Sequence, residues 1–197
     1  MNYGETLAYW YLRLNGFFPL KNFVMHMPDD RQQRSDCDIL ALRFPKVSED
    51  IGGQAGDWDR PRFERWGLSL EVPIALIVQV KTGSEGEPGK AFCAERLKEA
   101  VKRVGLWDAG ASERIAGALE RSRLLKTDEA TVAKLLIASQ PAEKDAYLSM
   151  KIDEATGFIR ARFKKYSRPK GGDRLFFNDE LIQFLAYEAG LRIETDE

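Results

Sequence analysis

The chain has 197 residues, a length that suits one domain. Hydrophobic residues make up 44% and charged residues 31%, enough apolar material for a core, which excludes a disordered or collagen-like chain. Lys and Arg number 30 against 31 Asp and Glu, so the formal net charge is −1 and any nucleic-acid binding needs a local patch rather than a global field. Cys37 and Cys93 are too few for a disulfide framework and, with the single histidine His26, too few for a zinc site. The N-terminal stretch carries Glu5 early and has neither a basic region nor a small-residue cleavage site. No apolar run approaches the ~18 residues that span a bilayer, so a cytoplasmic protein with no membrane partner is expected.

In chain order, residues 4–15 read as an amphipathic helix, with Leu7, Tyr11 and Leu14 at helical spacing and Asn15-Gly16 as its stop. Phe23 to Met27 reads as a strand, 28–34 as a hairpin loop, and Asp36 to Phe44 as a second strand ended by Pro45. Residues 46–67 break the regular pattern, with Gly52, Gly53 and Gly56 preceding a mixed aromatic and charged cluster from Trp58 to Trp66. A lid or insertion over 46–71 is expected. Ile74 to Val80 is the most apolar run, β-branched and short, which suits a central strand covered on both faces.

The loop 83–89 precedes a helix over 90–104 and a second over 112–124. Lys134 to Ser139 and Leu148 to Ile152 read as strands, and Ala155 to Tyr166 and Asp179 to Ala189 as the last helices. The expected fold is therefore an α/β (α+β) mixed sheet flanked by helices. The aromatic set Tyr9, Trp10, Tyr11, Phe17 and Phe18 reads as core, Cys37 as a small core residue, and His26 as structural rather than a ligand.

Strand alternation places Asp36, Asp38, Leu40 and Leu42 on one side and Cys37, Ile39 and Ala41 on the other. In the next strand Gln79 and Lys81 project together. An acid at the start of one strand and an amide and ammonium at the end of its neighbour can converge. Such a set suits a hard cation and an activated water.

The run Asp38-Ile-Leu-Ala-Leu followed by an apolar strand ending Gln79-Val-Lys81 resembles the PD-(D/E)XK nuclease superfamily, which includes restriction endonucleases and Holliday-junction resolvases. Glu5 on the first helix matches the helix-borne Glu of resolvase-like members. The resemblance covers about the first half of the chain. It implies a restriction-endonuclease-like fold over 1–197, with catalytic residues Glu5, Asp38, Gln79 and Lys81. It further implies Mg²⁺ or Mn²⁺ held by Asp38, Gln79 and the Val80 carbonyl, and dimerisation as in many relatives. Gln79 replaces the usual acid and removes one negative charge; Glu71, Asp36 or Glu64 could supply a migrated carboxylate.

A basic stretch runs through Arg160, Arg162, Lys164, Lys165, Arg168 and Lys170, and reads as a grip on a phosphate backbone, with Arg60, Arg62 and Arg65 as an opposite wall. The leading expectation is an endonuclease acting on DNA in preference to RNA. The rival is a nuclease-fold module without turnover that binds nucleic acid or protein.

Overall fold

The computed structural model describes residues 2–25, 35–83, 86–89, 91–142, 144–167 and 179–190. Helix α1 (Tyr3–Leu14) starts at Asn2, whose side-chain oxygen accepts the Glu5 N–H at 2.9 Å, and stops at Asn15-Gly16. Gly16 has φ +79°, and a Cβ there would sit 2.7 Å from Val47, so glycine is required on both counts.

Strands β1 (Phe18–Met25), β2 (Ser35–Arg43) and β3 (Ile74–Lys81) form an antiparallel meander. The short helix α2 (Arg60–Arg65) lies between β2 and β3. Helices α3 (Ala94–Val104) and α4 (Ala109–Arg121) follow β3. Asp108 caps α4 by accepting the Ala111 N–H at 2.7 Å. Strand β5 (Thr131–Ala138) pairs parallel with β3. Strands β4 (Leu124–Lys126) and β6 (Leu148–Lys151) share the outer edge of β5, the first antiparallel and the second parallel. Helix α5 (Ile152–Lys165) follows β6 directly, with the Glu154 carboxylate accepting the Lys151 N–H at 2.9 Å, and α6 (Glu180–Glu188) completes the described elements.

The result is a mixed α/β fold, a six-stranded mixed sheet with helices on both faces. Every residue of β5 is buried, as a parallel strand covered on both sides requires. One face packs Ile39, Ala41, Leu76, Val78, Val80, Leu135 and Ile137 against α1, α5 and α6. The other packs Leu40, Ala75, Ile77, Val132 and Leu136 against α3 and α4. Among the described residues no helix is long and apolar enough to cross a membrane.

Several boundaries differ from the sequence reading. β1 begins at Phe18 rather than Phe23, because an edge strand need not bury alternate residues: Phe18 and Leu20 are exposed. Phe18 therefore leaves the expected aromatic core, while Tyr11 and Phe17 are buried in it. β4 is three residues long and carries no periodic signal. The segment expected as a lid or insertion runs between β2 and β3 and packs into the core. Its Trp58, Phe63, Trp66, Leu68 and Leu70 are buried in the first core layer beside α1 and α5.

Two buried guanidinium groups stitch that segment to the sheet. Arg43 donates from Nε to the Asn15 carbonyl at 3.0 Å and from Nη1 to the Leu70 carbonyl at 3.0 Å. Arg162, from α5, donates to the carbonyls of Leu14, Gly52 and Asp57, and stands over the Trp58 and Phe158 rings. Nearby, the Asp57 side chain accepts from Lys165 Nζ at 2.7 Å, from the Tyr166 hydroxyl at 2.7 Å and from the Gln54 N–H at 3.0 Å. Burial alone would raise the Asp57 carboxyl, but these donors and the Arg162 charge overcome it and hold it at about 2.

Arg162→Met strands three buried carbonyls without their donor. The expected loss is about 3 kcal/mol or more, read as a lowered midpoint in urea unfolding with an unchanged slope. The depressed Asp57 pKa contributes stability above the unfolded carboxylate value, about 4, and that contribution is lost as pH falls toward 2. Asp57→Asn should be less stable than the wild type at pH 7 and lose the part of the acid limb that lies between pH ~4 and ~2.

Candidate functional site

The β2–β3 ladder registers Ile39 with Val78, and its pairing stops there. On the other side of β2, the pairs Lys21–Ile39 and Phe23–Cys37 bracket Asn22, which has φ +54°. Left-handed backbone at a non-glycine residue inside a strand marks a local kink. Asp38 thus sits where both of its ladders are interrupted.

Its side chain fills the interruption. Asp38 Oδ2 accepts the Val80 N–H at 2.6 Å and Gln79 Nε2 at 2.5 Å. The carboxylate takes the place of the missing strand carbonyl. In an extended strand the N–H and C=O of one residue lie on the same edge, so the Val80 carbonyl also points toward the β2 side, beyond the last ladder pair. Gln79 and Lys81 register with Leu136 and Ala138 of β5, on the α3/α4 face. Lys81 is half-buried and forms no ion pair among the described residues.

Cys37 does not follow the expected alternation. It packs with Leu40 and Ala75 rather than with Ile39 and Ala41. Its thiol donates to the Ile39 carbonyl at 3.3 Å. Burial, with the Asp38 charge adding, pushes the thiol up to about 12, so it is not a nucleophile at neutral pH.

Glu5 lies elsewhere. Helix α1 covers the opposite face, the one that carries Val78 and Val80. Its start reaches the same end of β3, since a Cβ on Gly4 would fall 3.1 Å from Val80 Cγ1. The Glu5 carboxylate accepts Asn2 Nδ2 at 2.8 Å and serves the helix terminus. The structure therefore brings Asp38, Gln79 and the Val80 peptide together, sets Lys81 on Gln79's face, and leaves Glu5 on the other. Of the alternative acids, Glu71 pairs with Arg60 at 3.2 Å and Glu64 is exposed on α2, both away from the kink. The Asp36 side chain, His26, Arg168 and Lys170 lie outside the described residues.

Within the described part of the basic stretch, Arg160, Lys164 and Lys165 are exposed and Arg162 is turned inward. Arg162 is 4% exposed and bonds the protein's own carbonyls. Lys165 is paired with Asp57, and Arg160 with Glu188 at 3.0 Å. Of the four described cations in the run only Lys164 is exposed without an acid partner among the described residues. Of the expected opposite wall, Arg62 bonds Glu154 at 2.7 Å and Arg60 bonds Glu71 at 3.2 Å, while Arg65 is exposed. A feature missed from sequence is Lys134, buried in the middle of β5. Its Nζ donates to the Glu120 carbonyl at 3.3 Å, and burial lowers its pKa.

No family model matches the chain, and neither a curated protein nor a solved structure does.

The chemistry of the kink is that of oxygen donors. The Asp38 carboxylate, the Gln79 amide oxygen after a half-turn of its amide, and the Val80 carbonyl suit a hard divalent cation. They carry one negative charge, and among the described residues no group of three or more His, Cys, Asp or Glu side chains is placed to hold a metal. Mg²⁺ sites commonly use one or two carboxylates, completed by waters and substrate phosphate. The residues fit a cation held weakly in that way.

Gln79→Glu would set a second carboxylate against Asp38. The pair would repel at neutral pH, so without metal the variant should melt below the wild type by a few degrees, on the order of 1 kcal/mol. Mn²⁺ should restore the loss and bind at least about 10-fold tighter than to the wild type, by calorimetry. Equal affinity in both proteins would remove residue 79 from the site.

Proposed function

We propose that the chain is a metal-dependent phosphodiester hydrolase acting on DNA, an endonuclease of the PD-(D/E)XK kind with a Gln-x-Lys strand end. The reading is carried by the contact of Asp38 with Gln79 and the Val80 N–H at a break in the β2–β3 ladder, with Lys81 one residue further along. The order α1, β1, β2, β3, α3 over the first half of the chain, with the short α2 between β2 and β3, supports it.

Mg²⁺ or Mn²⁺, when bound, would polarise the scissile phosphate and lower the pKa of a bound water. Asp38 would supply the fixed negative charge, with its Oδ2 already oriented by two N–H donors. The Val80 carbonyl would add an oxygen from rigid backbone. Lys81 would hold the attacking water and offset charge building on the phosphate. Glu5 has no part in this reading, because its carboxylate serves the α1 terminus.

A second reading, a nuclease-like module without turnover, has one observation in its favour: Asp38 Oδ2 already accepts two donors and the kink has lost one formal charge.

The two separate in one experiment. Supercoiled DNA is incubated with Mg²⁺, Mn²⁺ or EDTA and with wild type, Asp38→Asn or Lys81→Ala. Asp38→Asn keeps an oxygen that can accept both N–H bonds and removes only the charge. A nuclease predicts cleavage that EDTA abolishes and that falls about 100-fold or more in both variants, at melting temperatures within a few degrees of the wild type. Equal cleavage by all three proteins, or none by any, sinks the hydrolase reading. EDTA-indifferent, salt-sensitive DNA binding without cleavage establishes the second.

A further inference from the structure

The outer edge of β5 is divided between two strands. β4 pairs with Thr131 to Ala133 and β6 with Leu135 to Ala138. Lys134 stands at the seam, where its N–H donates to the Arg123 carbonyl at 3.0 Å. The short strands leave two hollows beside that seam. One, of about 410 Å³, is lined by Trp66, Arg123, Lys144, Asp145, Tyr147 and Ser149 among others. The second, of about 470 Å³, adds Lys126 and shares Arg123 and Asp145 with the first.

The charge of this surface is positive. Arg123, Lys126 and Lys144 face Asp145 and Glu87, the latter bonded to Lys144 at 2.6 Å. Arg123 and Lys126 have no ion pair among the described residues. The Lys144–Glu87 pair is exposed on both sides, a kind of contact that holds its partners loosely.

An independent observation points to a ligand. Tyr147 lines the first hollow and is 5% exposed, and its hydroxyl is buried with no hydrogen-bond partner among the described residues. Its ring packs on Phe92 with centroids 6.0 Å apart. Burial raises its pKa, with the Lys144 and Glu87 charges also acting on it, so the group is a neutral O–H donor at pH 7. Native proteins rarely leave a buried hydroxyl unpaired, and an oxygen-rich anion beside two cations is the partner that would satisfy it.

We propose that the seam between β4 and β6 binds a phosphate-type oxyanion, held by the Arg123 guanidinium and the Lys144 ammonium, with the Tyr147 hydroxyl donating to one of its oxygens. The site is separate from the Asp38 kink and stands whether or not the chain cleaves DNA. Lys126, in the adjoining hollow, extends the positive surface toward whatever the phosphate is attached to.

The test is titration of the full chain at low ionic strength with inorganic phosphate and with adenosine monophosphate, followed by amide chemical shifts and calorimetry. The wild type should bind saturably, with the largest shifts at 123, 144, 147 and 149. Arg123→Ala should weaken binding about 10-fold or more, and Tyr147→Phe about 5-fold. Tyr147→Phe should also melt no lower than the wild type in the absence of anion, because it removes an unpaired hydroxyl, and should gain less on adding phosphate. Lys164→Ala, on α5, should bind as the wild type does. Tighter binding of the nucleotide than of phosphate would mark a nucleotide site; equal binding would mark a site for the phosphate group alone; either supports the proposal. No saturable binding of either probe, wild-type affinity in Arg123→Ala and Tyr147→Phe, a lower melting temperature of Tyr147→Phe without anion, or an equal loss in Lys164→Ala would each overturn it.

Discussion

A strand buried on both faces has nowhere to put a polar side chain except at its ends. The parallel pairing of β3 with β5 imposes that condition on this protein, and much of the rest answers to it. Both strands need cover above and below, and they receive it from α1, α5 and α6 on one side and α3 and α4 on the other. Polar residues are then pushed to where β3 emerges, at Gln79 and Lys81. The exception is Lys134, inside β5, which is tolerated because its ammonium reaches the Glu120 carbonyl at the end of α4. Its position opposite the seam between β4 and β6 is also the one place where β5 changes neighbours.

The cover on the first face is completed by an irregular segment rather than a full helix. A loop can enter a core only if its backbone carbonyls find donors. Here the donors are guanidinium groups. Arg43 and Arg162 supply N–H groups to Asn15, Leu70, Leu14, Gly52 and Asp57 carbonyls, and both stack near Trp58. A planar fork of fixed geometry suits this work better than an ammonium on a flexible stem. The same arrangement explains why charge along α5 is a poor guide to its surface. Arg162 points inward to the loop, Lys165 returns to Asp57, and only part of the run is left to face solvent.

What was legible in the sequence follows this logic. Alternation along an apolar strand correctly put Gln79 and Lys81 on one face, because a period of two has only two outcomes. The Asp38–Gln79 contact was legible for the same reason, once the two strands were taken as neighbours. Helical periodicity says which side of α1 is apolar, yet not which face of the sheet that side meets, so the resemblance that names Glu5 carries no information on its distance from Asp38 and Gln79. Arg162 was read as a surface cation because burial of a charge depends on partners more than 100 positions away, and a charge run does not contain them. The glycines and charges of the segment between β2 and β3 mark it as irregular, while Trp58, Phe63, Trp66, Leu68 and Leu70 carry enough apolar surface to place it in a core. Cys37 packs with the α3/α4 cluster against the alternation expected for β2, beside a left-handed residue, Asn22, on the neighbouring strand that the sequence pattern does not announce.

The kink at Asp38 binds fold and site to the same atom. Without the carboxylate, the Val80 N–H would face a gap in the sheet with no strand carbonyl to meet it, and a buried amide left so costs on the order of 1–3 kcal/mol. One oxygen of Asp38 is therefore committed to the backbone whether or not the protein performs chemistry. Any cation at this place must use the other oxygen and must turn the Gln79 amide away from the contact it now makes. That competition gives Gln79 a physical role distinct from that of an acid. A neutral amide lets the kink close on itself in the absence of metal, where two carboxylates would repel. An arrangement of this kind is stable empty, and under the proposed function it would admit a cation chiefly when a substrate phosphate arrives to supply the charge that the strand end lacks.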